Sequence, residues 1–243
     1  MGALDGRRAL VTGGGRGLGA AVAEALARAG AHVSVTGRTK QDVFATAERI
    51  GGDAIVADVA DKDTWLDTLR DLGDIDVLVA NAGVVWPLQR FVETDLDEWE
   101  RALTINLYGA VRTVHAVLPG MVDRGWGRIV TISSGAADRP GMPSANAYST
   151  GKAALDMFTV HLADELRDTG VTALALRPGV VDTPMQTYMR SLPREQVGDR
   201  FHDRFHGLHE RGELLPAPTV AKWIVDTMLS GATGEIRDIR TAS

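Results

Sequence analysis

Short runs of apolar residues alternate along this chain with longer stretches in which apolar positions recur every third or fourth residue. The runs at 8–12, 32–36, 54–57, 75–80, 128–132 and 171–176 are rich in Val, Ile, Leu and Ala and too short for buried helices. They predict six strands, with 235–239 a seventh. Helical spacing fills the gaps at 18–28, 40–50, 62–72, 96–124, 145–167 and 218–229. Alternation of this kind builds βαβ units, and six or seven strands make a complete doubly wound sheet. The pattern therefore predicts an α/β fold, with residues 1–243 as a single domain: a parallel sheet of about seven strands with helices on both faces. Residues 184–216 break the alternation. They are polar, rich in His and Arg, bounded by Pro184 and Pro216, and follow the carboxyl end of a strand, where open α/β sheets bind ligands. They predict a lid over a site.

Charge and composition narrow the function. A net charge of −6 without a basic cluster argues against a nucleic-acid partner. No apolar run approaches the ~20 residues that span a bilayer, and residues 1–8 hold two arginines and no signal-peptide core, so no membrane partner is expected. Cys is absent, which removes disulfides, thiolate zinc sites and thiol nucleophiles. A reducing compartment suits such a chain, and the expected location is the cytoplasm.

The first predicted strand runs into Thr12-Gly-Gly-Gly-Arg-Gly-Leu-Gly19, which opens the first predicted helix. Gly13, Gly15, Gly17 and Gly19 let the backbone turn sharply and approach a diphosphate whose charge the helix amides hold; Arg16 and Leu18 complete the turn. No Gly-Lys-Ser/Thr follows, which excludes a P-loop, and no Gly-x-Ser-x-Gly elbow occurs. An acid at the end of the second strand would accept the 2′-hydroxyl of NAD. Gly37-Arg38 stands there instead, and Asp42, the nearest acid downstream, lies further along on the predicted helix. A guanidinium can hold a 2′-phosphate, with Arg16 as a second cation, so the expected cofactor is NADP(H).

Tyr148 and Lys152 stand four residues apart ahead of a helix-periodic run, so their polar heads can share one small volume. A phenol titrates near 10, but an ammonium ~4 Å away is worth about 4 kcal/mol at an effective dielectric near 20 and favours the phenolate. Such a pair suits a reaction that moves a proton at a carbonyl oxygen.

Read in order, the chain resembles the short-chain dehydrogenase/reductase family over nearly its whole length. The marks are the glycine turn, Asp58-Val59, Asn81-Ala-Gly83, Asn106 within Ile-Asn-Leu-Tyr-Gly109, Ser133-Ser134, Tyr148-x3-Lys152 and Arg177-Pro-Gly-Val-Val-Asp-Thr183. Two features depart from it: Ala80 stands where a second Asn often precedes Asn-Ala-Gly, and the Asp-Gly-Gly common near the carboxyl terminus is missing. The resemblance implies a Rossmann fold and hydride transfer between NADP(H) and a small carbonyl or alcohol. It implies Tyr148 as proton donor, Lys152 as the cation that tunes Tyr148 and bonds the nicotinamide ribose, and Ser134, rather than Ser133, as the holder of the substrate oxygen. Asn106 would anchor a water in a proton relay through Lys152. Asp58 and Val59 would meet the adenine, Asn81, Ala82 and Gly83 the adenosine side and ribose, and Pro178, Gly179, Val181 and Thr183 the nicotinamide end.

A looser likeness, carried by Asp182-Thr-Pro-Met-Gln186 and residues 205–215 and 230–238, is to the sepiapterin reductase and benzil reductase subgroup. There a carboxyl-terminal Asp fixes a pterin, and Asp238 matches it. Trp86 and Met185 are expected in the substrate pocket. His202, His206 and His209 fall on one face if their segment is helical, but hydride transfer needs no metal and none is expected. Family members pair the long helices that correspond to 96–124 and 145–167, so a homo-oligomer is implied, a dimer before a tetramer. The leading reading is an NADPH-dependent reductase of ketones or diketones. The competing one is a catalytically silent protein that senses NADP or scaffolds partners.

Overall fold

The computed structural model describes residues 2–138 and 142–241. Seven strands pair in parallel throughout: β1 (Arg8–Thr12), β2 (His32–Gly37), β3 (Asp53–Val56), β4 (Val77–Ala80), β5 (Gly127–Ile132), β6 (Val171–Arg177) and β7 (Ile236–Asp238). Their spatial order is β3-β2-β1-β4-β5-β6-β7. The winding reverses between β1 and β4, where Thr12 pairs with Ala80, and the crevice beyond those carboxyl ends is where an open sheet takes a ligand.

Alternating side chains explain why both faces are covered. Leu10 and Val11 are neighbours, both fully buried, and they belong to different cores. On one face Val11, Val35 and Val79 meet Val22 and Leu26 of α1 (Gly17–Arg28) and Val220 and Ile224 of α10 (Ala217–Leu229). On the other, Leu10, Leu78 and Ile129 meet Trp65 of α3 (Lys62–Asp71), Val114 of α5 (Gly109–Asp123) and Leu162 of α6 (Asn146–Glu165). Each such buried side chain contributes roughly 1.5–3 kcal/mol. The helix α2 (Lys40–Ile50) ends on Gly51 at φ 62°, a left-handed cap that favours Gly.

Three elements differ from the reading of the sequence. The periodic stretch 96–124 is not one helix: α4 (Leu96–Leu103) passes through a π turn at Thr104–Tyr108 before α5 begins. The fourth strand begins at Val77, two residues later than the apolar run, although the Asp76 N–H still donates to the Arg8 carbonyl at 2.8 Å and its carboxylate accepts from the Arg8 N–H at 3.0 Å. The excursion 184–216 carries three helices, α7 (Pro184–Ser191), α8 (Arg194–Val197) and α9 (Asp199–Glu210). Its ends are stitched together, since Val181 bridges Leu215 and the Leu215 N–H donates to the Val180 carbonyl at 2.8 Å. Among the described residues no helix is long and apolar enough to cross a membrane.

Candidate active site

A cavity of about 940 Å³ runs along the carboxyl ends of the strands, from the glycine turn to the excursion α7–α9. Its floor at one end is the turn between β1 and α1. A Cβ on Gly19 would overlap the Gly13 carbonyl oxygen and stand 2.5 Å from Asn81 Nδ2, so only glycine lets these backbones meet. Gly13 and Gly17 hold positive φ, 65° and 56°. Helix α1 starts at Gly17 with no side-chain cap and no acidic residue in its first turn, which leaves its amides and positive dipole end open to an anion. Asn81 holds the cradle closed: Nδ2 donates to the carbonyls of Thr12 (3.0 Å) and Gly13 (3.1 Å). Both hydrogens of Nδ2 are thus taken by the turn, and Asn81, Ala82 and Gly83 all line the cavity.

Arg16 and Arg38 line the same end, together with Asp58 and Val59. Arg38 Nη1 lies 3.9 Å from Asp58 Oδ2, a loose pair between two part-exposed groups. The sequence reading set Asp42 aside. The fold brings it back: α2 carries it to the cavity wall, where its Cβ would be 3.1 Å from a Cβ on Gly15.

At the other end Ser134, Tyr148 and Lys152 converge from two elements. Ser134 follows β5, and its Oγ accepts from the Ala136 N–H at 3.1 Å, which caps a short helical turn. Tyr148 and Lys152 lie one turn apart near the start of α6, and both are buried. Burial pushes the Tyr148 pKa up, and the hydrogen bond from the Ser134 hydroxyl pulls it partly back. Burial outweighs any lowering by Lys152. Its ammonium sits 5.9 Å from the Tyr148 ring centroid and donates to the Ile132 carbonyl at 2.6 Å, so desolvation wins and the tyrosine stays a phenol. Burial pushes Lys152 down to about 8, while Asp156 one turn along α6 acts to raise it. Ser133, next to Ser134, also lines the cavity, and its buried hydroxyl has no partner.

Asn106 does not line the cavity. It stands behind Gly83, within the π turn, and its amide is consumed by Val84: Oδ1 accepts from the N–H at 3.0 Å and Nδ2 donates to the carbonyl at 2.8 Å. A Cβ on Gly83 would reach 2.9 Å from Asn106 Oδ1 and 3.5 Å from Lys152 Nζ. The side chain therefore fixes the 83–84 backbone beside Lys152.

Pro178, Gly179, Val181 and Thr183 line the cavity between the two ends, and Trp86 and Met185 line it beneath the excursion. Asp238 does not. It accepts three bonds from Arg240, from Nε at 2.8 Å, from Nη2 and from the main-chain N–H at 3.0 Å, which hold its carboxyl below the usual range, and Arg240 is the residue that faces the cavity. The sequence reading also missed Gln186, a lining residue whose buried Oε1 has no partner, and Arg200 and Arg204 of α9. His202 and His206 stack at 4.1 Å between centroids, and His206 Nε2 meets the Arg190 carbonyl at 3.1 Å.

The excursion covers the tyrosine. Met189, Val197, Phe201 and Phe205 form one apolar cluster with Val85, Leu88, Ala145 and Tyr148, which buries the tyrosine while leaving it on the cavity wall.

The chain is similar to known proteins in sequence and in fold. The profile of the family described as short chain dehydrogenase matches residues 7–193. L-xylulose reductase of Bos taurus is 36% identical over 184 residues, 75% of each chain. The 2-dehydro-3-deoxy-L-rhamnonate dehydrogenase (NAD(+)) of Sphingomonas sp. (strain SKA58) is 35% identical over 201 residues, 81% of this chain and 79% of that one. A crystal structure of a putative NAD(P)-dependent gluconate 5-dehydrogenase from Beutenbergia cavernae, with NADP bound, superposes with a TM-score of 0.83 at 32% identity, covering 97% of this chain and 95% of that one. The glycine cradle, the Tyr148–Lys152 turn and these likenesses lead to one conclusion: this chain is an oxidoreductase of the short-chain dehydrogenase/reductase family.

Proposed function

We propose that the protein is an NADP(H)-dependent carbonyl reductase that converts a ketone or diketone of a small molecule to the alcohol, with Tyr148 as proton donor. The observation that carries the reading is the convergence of Ser134, Tyr148 and Lys152 at one end of a cavity whose other end is an uncapped helix amino terminus floored by glycine. The cradle fits a dinucleotide on two counts: close backbone approach at Gly13 and Gly19, and open amides with no competing acid in the first turn of α1. Bound there, the nucleotide supplies the hydride.

The chain's own residues do the rest. Ser134 holds the carbonyl oxygen by its hydroxyl, an electrostatic contribution that grows as negative charge develops. Tyr148, kept a phenol by burial, gives its proton to that oxygen. Lys152, charged below about 8, stabilises the phenolate left behind. Asn106 positions the 83–84 backbone against Lys152. The excursion α7–α9 acts as the lid that keeps the site dry.

Preference for the 2′-phosphate rests on Arg38 and Arg16, opposed by the carboxylates of Asp58 and Asp42. Tyr108 and Met157 are large apolar side chains left exposed at the π turn and on α6, which supports a dimer paired through these helices. The lack of Cys supports a cytoplasmic location. The test is loss of nucleotide absorbance with a panel of ketones and diketones, with NADPH and with NADH. Turnover of at least one carbonyl is expected. Tight NADPH binding without turnover of any carbonyl would instead favour the silent nucleotide-binding protein.

A further inference from the structure

Lys152 and Asp156 stand one turn apart on α6, both buried, yet they form no ion pair. The ammonium donates instead to the Ile132 carbonyl at 2.6 Å, and Lys152 lines the cavity. Opposite charges at this spacing in a buried setting attract, so another group must hold the carboxylate back. That group is Arg177, the last residue of β6. Its Nη2 donates to Asp156 Oδ2 at 2.8 Å, with 14% and 6% of the two side chains exposed. Asp156 Oδ1 and Arg177 Nε, both buried, have no other hydrogen-bond partner among the described residues, so the carboxylate is committed to this one guanidinium. The remaining neighbours leave that commitment intact. Leu103 and Asn106, which meet α6 at Gly151 from α4 and the π turn, carry no charge, and Tyr148 is kept a phenol by burial. Asp138 stands 3.8 Å from Arg177 and is mostly exposed, whereas Asp238, opposite Arg177 in the β6–β7 register, is bonded to Arg240. Burial pushes Lys152 down to about 8 although Asp156 acts to raise it, the balance expected when Arg177 cancels much of the carboxylate's field.

We propose that Arg177 is a positioning residue: by holding Asp156 it keeps that carboxylate from capturing Lys152, and so leaves the ammonium on the Ile132 carbonyl, beside Tyr148 on the cavity wall. A buried lysine next to a free carboxylate would be drawn into an ion pair along α6, away from the phenol it serves. The inference rests on the carbonyl-reductase reading for what Lys152 does in turnover, though not for where it stands.

The test follows Lys152 directly. The chain has four lysines, and Lys40, Lys62 and Lys222 are exposed, so NMR of isotope-labelled lysine can track the titration of the buried one in the full-length protein. In Arg177→Gln the freed carboxylate should pair with Lys152 and move its titration up by about one pH unit. In the same variant kcat for ketone reduction at pH 7 should fall about tenfold, because the ammonium leaves its place beside the tyrosine. Asp156→Asn/Arg177→Gln has neither a carboxylate to capture the lysine nor a lone buried charge to unfold the chain, and its kcat should return to within about threefold of wild type. Should Arg177→Gln alone not fold, the double variant is compared with Asp156→Asn: Arg177 then has nothing to hold, so its removal should change kcat by less than about threefold. The NMR titration needs no substrate. An upward shift with no carbonyl turned over upholds the role of Arg177, and the reductase reading then fails alone. A titration that stays in place or moves down in Arg177→Gln, an unchanged kcat, a loss that Asp156→Asn does not reverse, or a tenfold loss on removing Arg177 from Asp156→Asn overturns the positioning role and leaves the reductase reading standing.

Discussion

Raising the pH from 7 to 9 should lower turnover about tenfold, and Asp156→Asn should move that loss to lower pH. Lys152 is the group responsible. Burial pushes it down to about 8, so the ammonium is roughly nine-tenths populated at pH 7 and one-tenth at pH 9. Tyr148 is shifted the other way, above its ordinary value of 10, so the proton donor stays loaded across the same range. Asp156 stands one turn from Lys152 and is the carboxylate that holds it up. Groups at i and i+4 lie about 6 Å apart, which at an effective dielectric near 20 is worth about 3 kcal/mol, or roughly two pH units. Arg177 Nη2, 2.8 Å from Asp156 Oδ2, offsets much of that field, so the expected movement is about 0.5–1 pH unit downward. The assay is the initial rate of NADPH oxidation from pH 6 to 10 at constant ionic strength, in both proteins.

Stability separates this loss from alkaline unfolding. An unfolded lysine keeps its proton to about 10.5, so between about 8 and 10.5 the unfolded chain binds more protons than the folded one. The Lys152 contribution to folding therefore grows by about 3 kcal/mol as pH rises through that window, while activity falls. A midpoint that does not move in Asp156→Asn, or moves upward, would refute the coupling.

Three further outcomes are expected. Gly19→Ala forces a Cβ against the Gly13 carbonyl and Asn81 Nδ2, so it should weaken nucleotide binding at least about tenfold and cost about 1–3 kcal/mol in denaturant unfolding; unchanged binding by calorimetry contradicts the cradle. Arg38→Asp should turn the ratio of kcat/KM for NADPH over NADH towards NADH by about tenfold or more, since a carboxylate there repels the 2′-phosphate and accepts the 2′-hydroxyl. Phe201→Ala empties a fully buried site packed 4.6 Å from the Phe205 ring, and should cost about 3–5 kcal/mol and raise KM more than it lowers kcat; a KM that does not rise removes the lid from substrate binding.

Most of the scaffold was legible because its signals are local. Short apolar runs bounded by glycine found six strands to within one or two residues, and the turn 12–19 announced itself by composition and by its place between strand and helix. The π turn at Thr104–Tyr108 was not legible, since one turn of i+5 bonding hardly disturbs a hydrophobic period of 3.6. The helices of the excursion 184–216 were hidden for a related reason. Met189, Val197, Phe201 and Phe205 are sparse in a polar stretch and become a core only when they meet Val85 and Tyr148 from elsewhere in the chain. Pairwise electrostatics alone leaves out burial at the tyrosine. Spacing put Tyr148 and Lys152 together, but only the fold reveals that the ammonium is taken by the Ile132 carbonyl and that burial governs the phenol. Asp238 drew attention as an acid, whereas the side chain it presents to the cavity is that of its partner Arg240.

Removal of the Tyr148 hydroxyl tests the central claim most directly. Single-turnover hydride transfer from bound NADPH to a ketone that the wild type reduces should slow about 10²–10⁴-fold in Tyr148→Phe, with nucleotide affinity changed little, because the phenol acts on the substrate oxygen and the cradle lies at the far end of the cavity. Reduction at a rate within a few fold of wild type would contradict the assignment of Tyr148 as the proton donor.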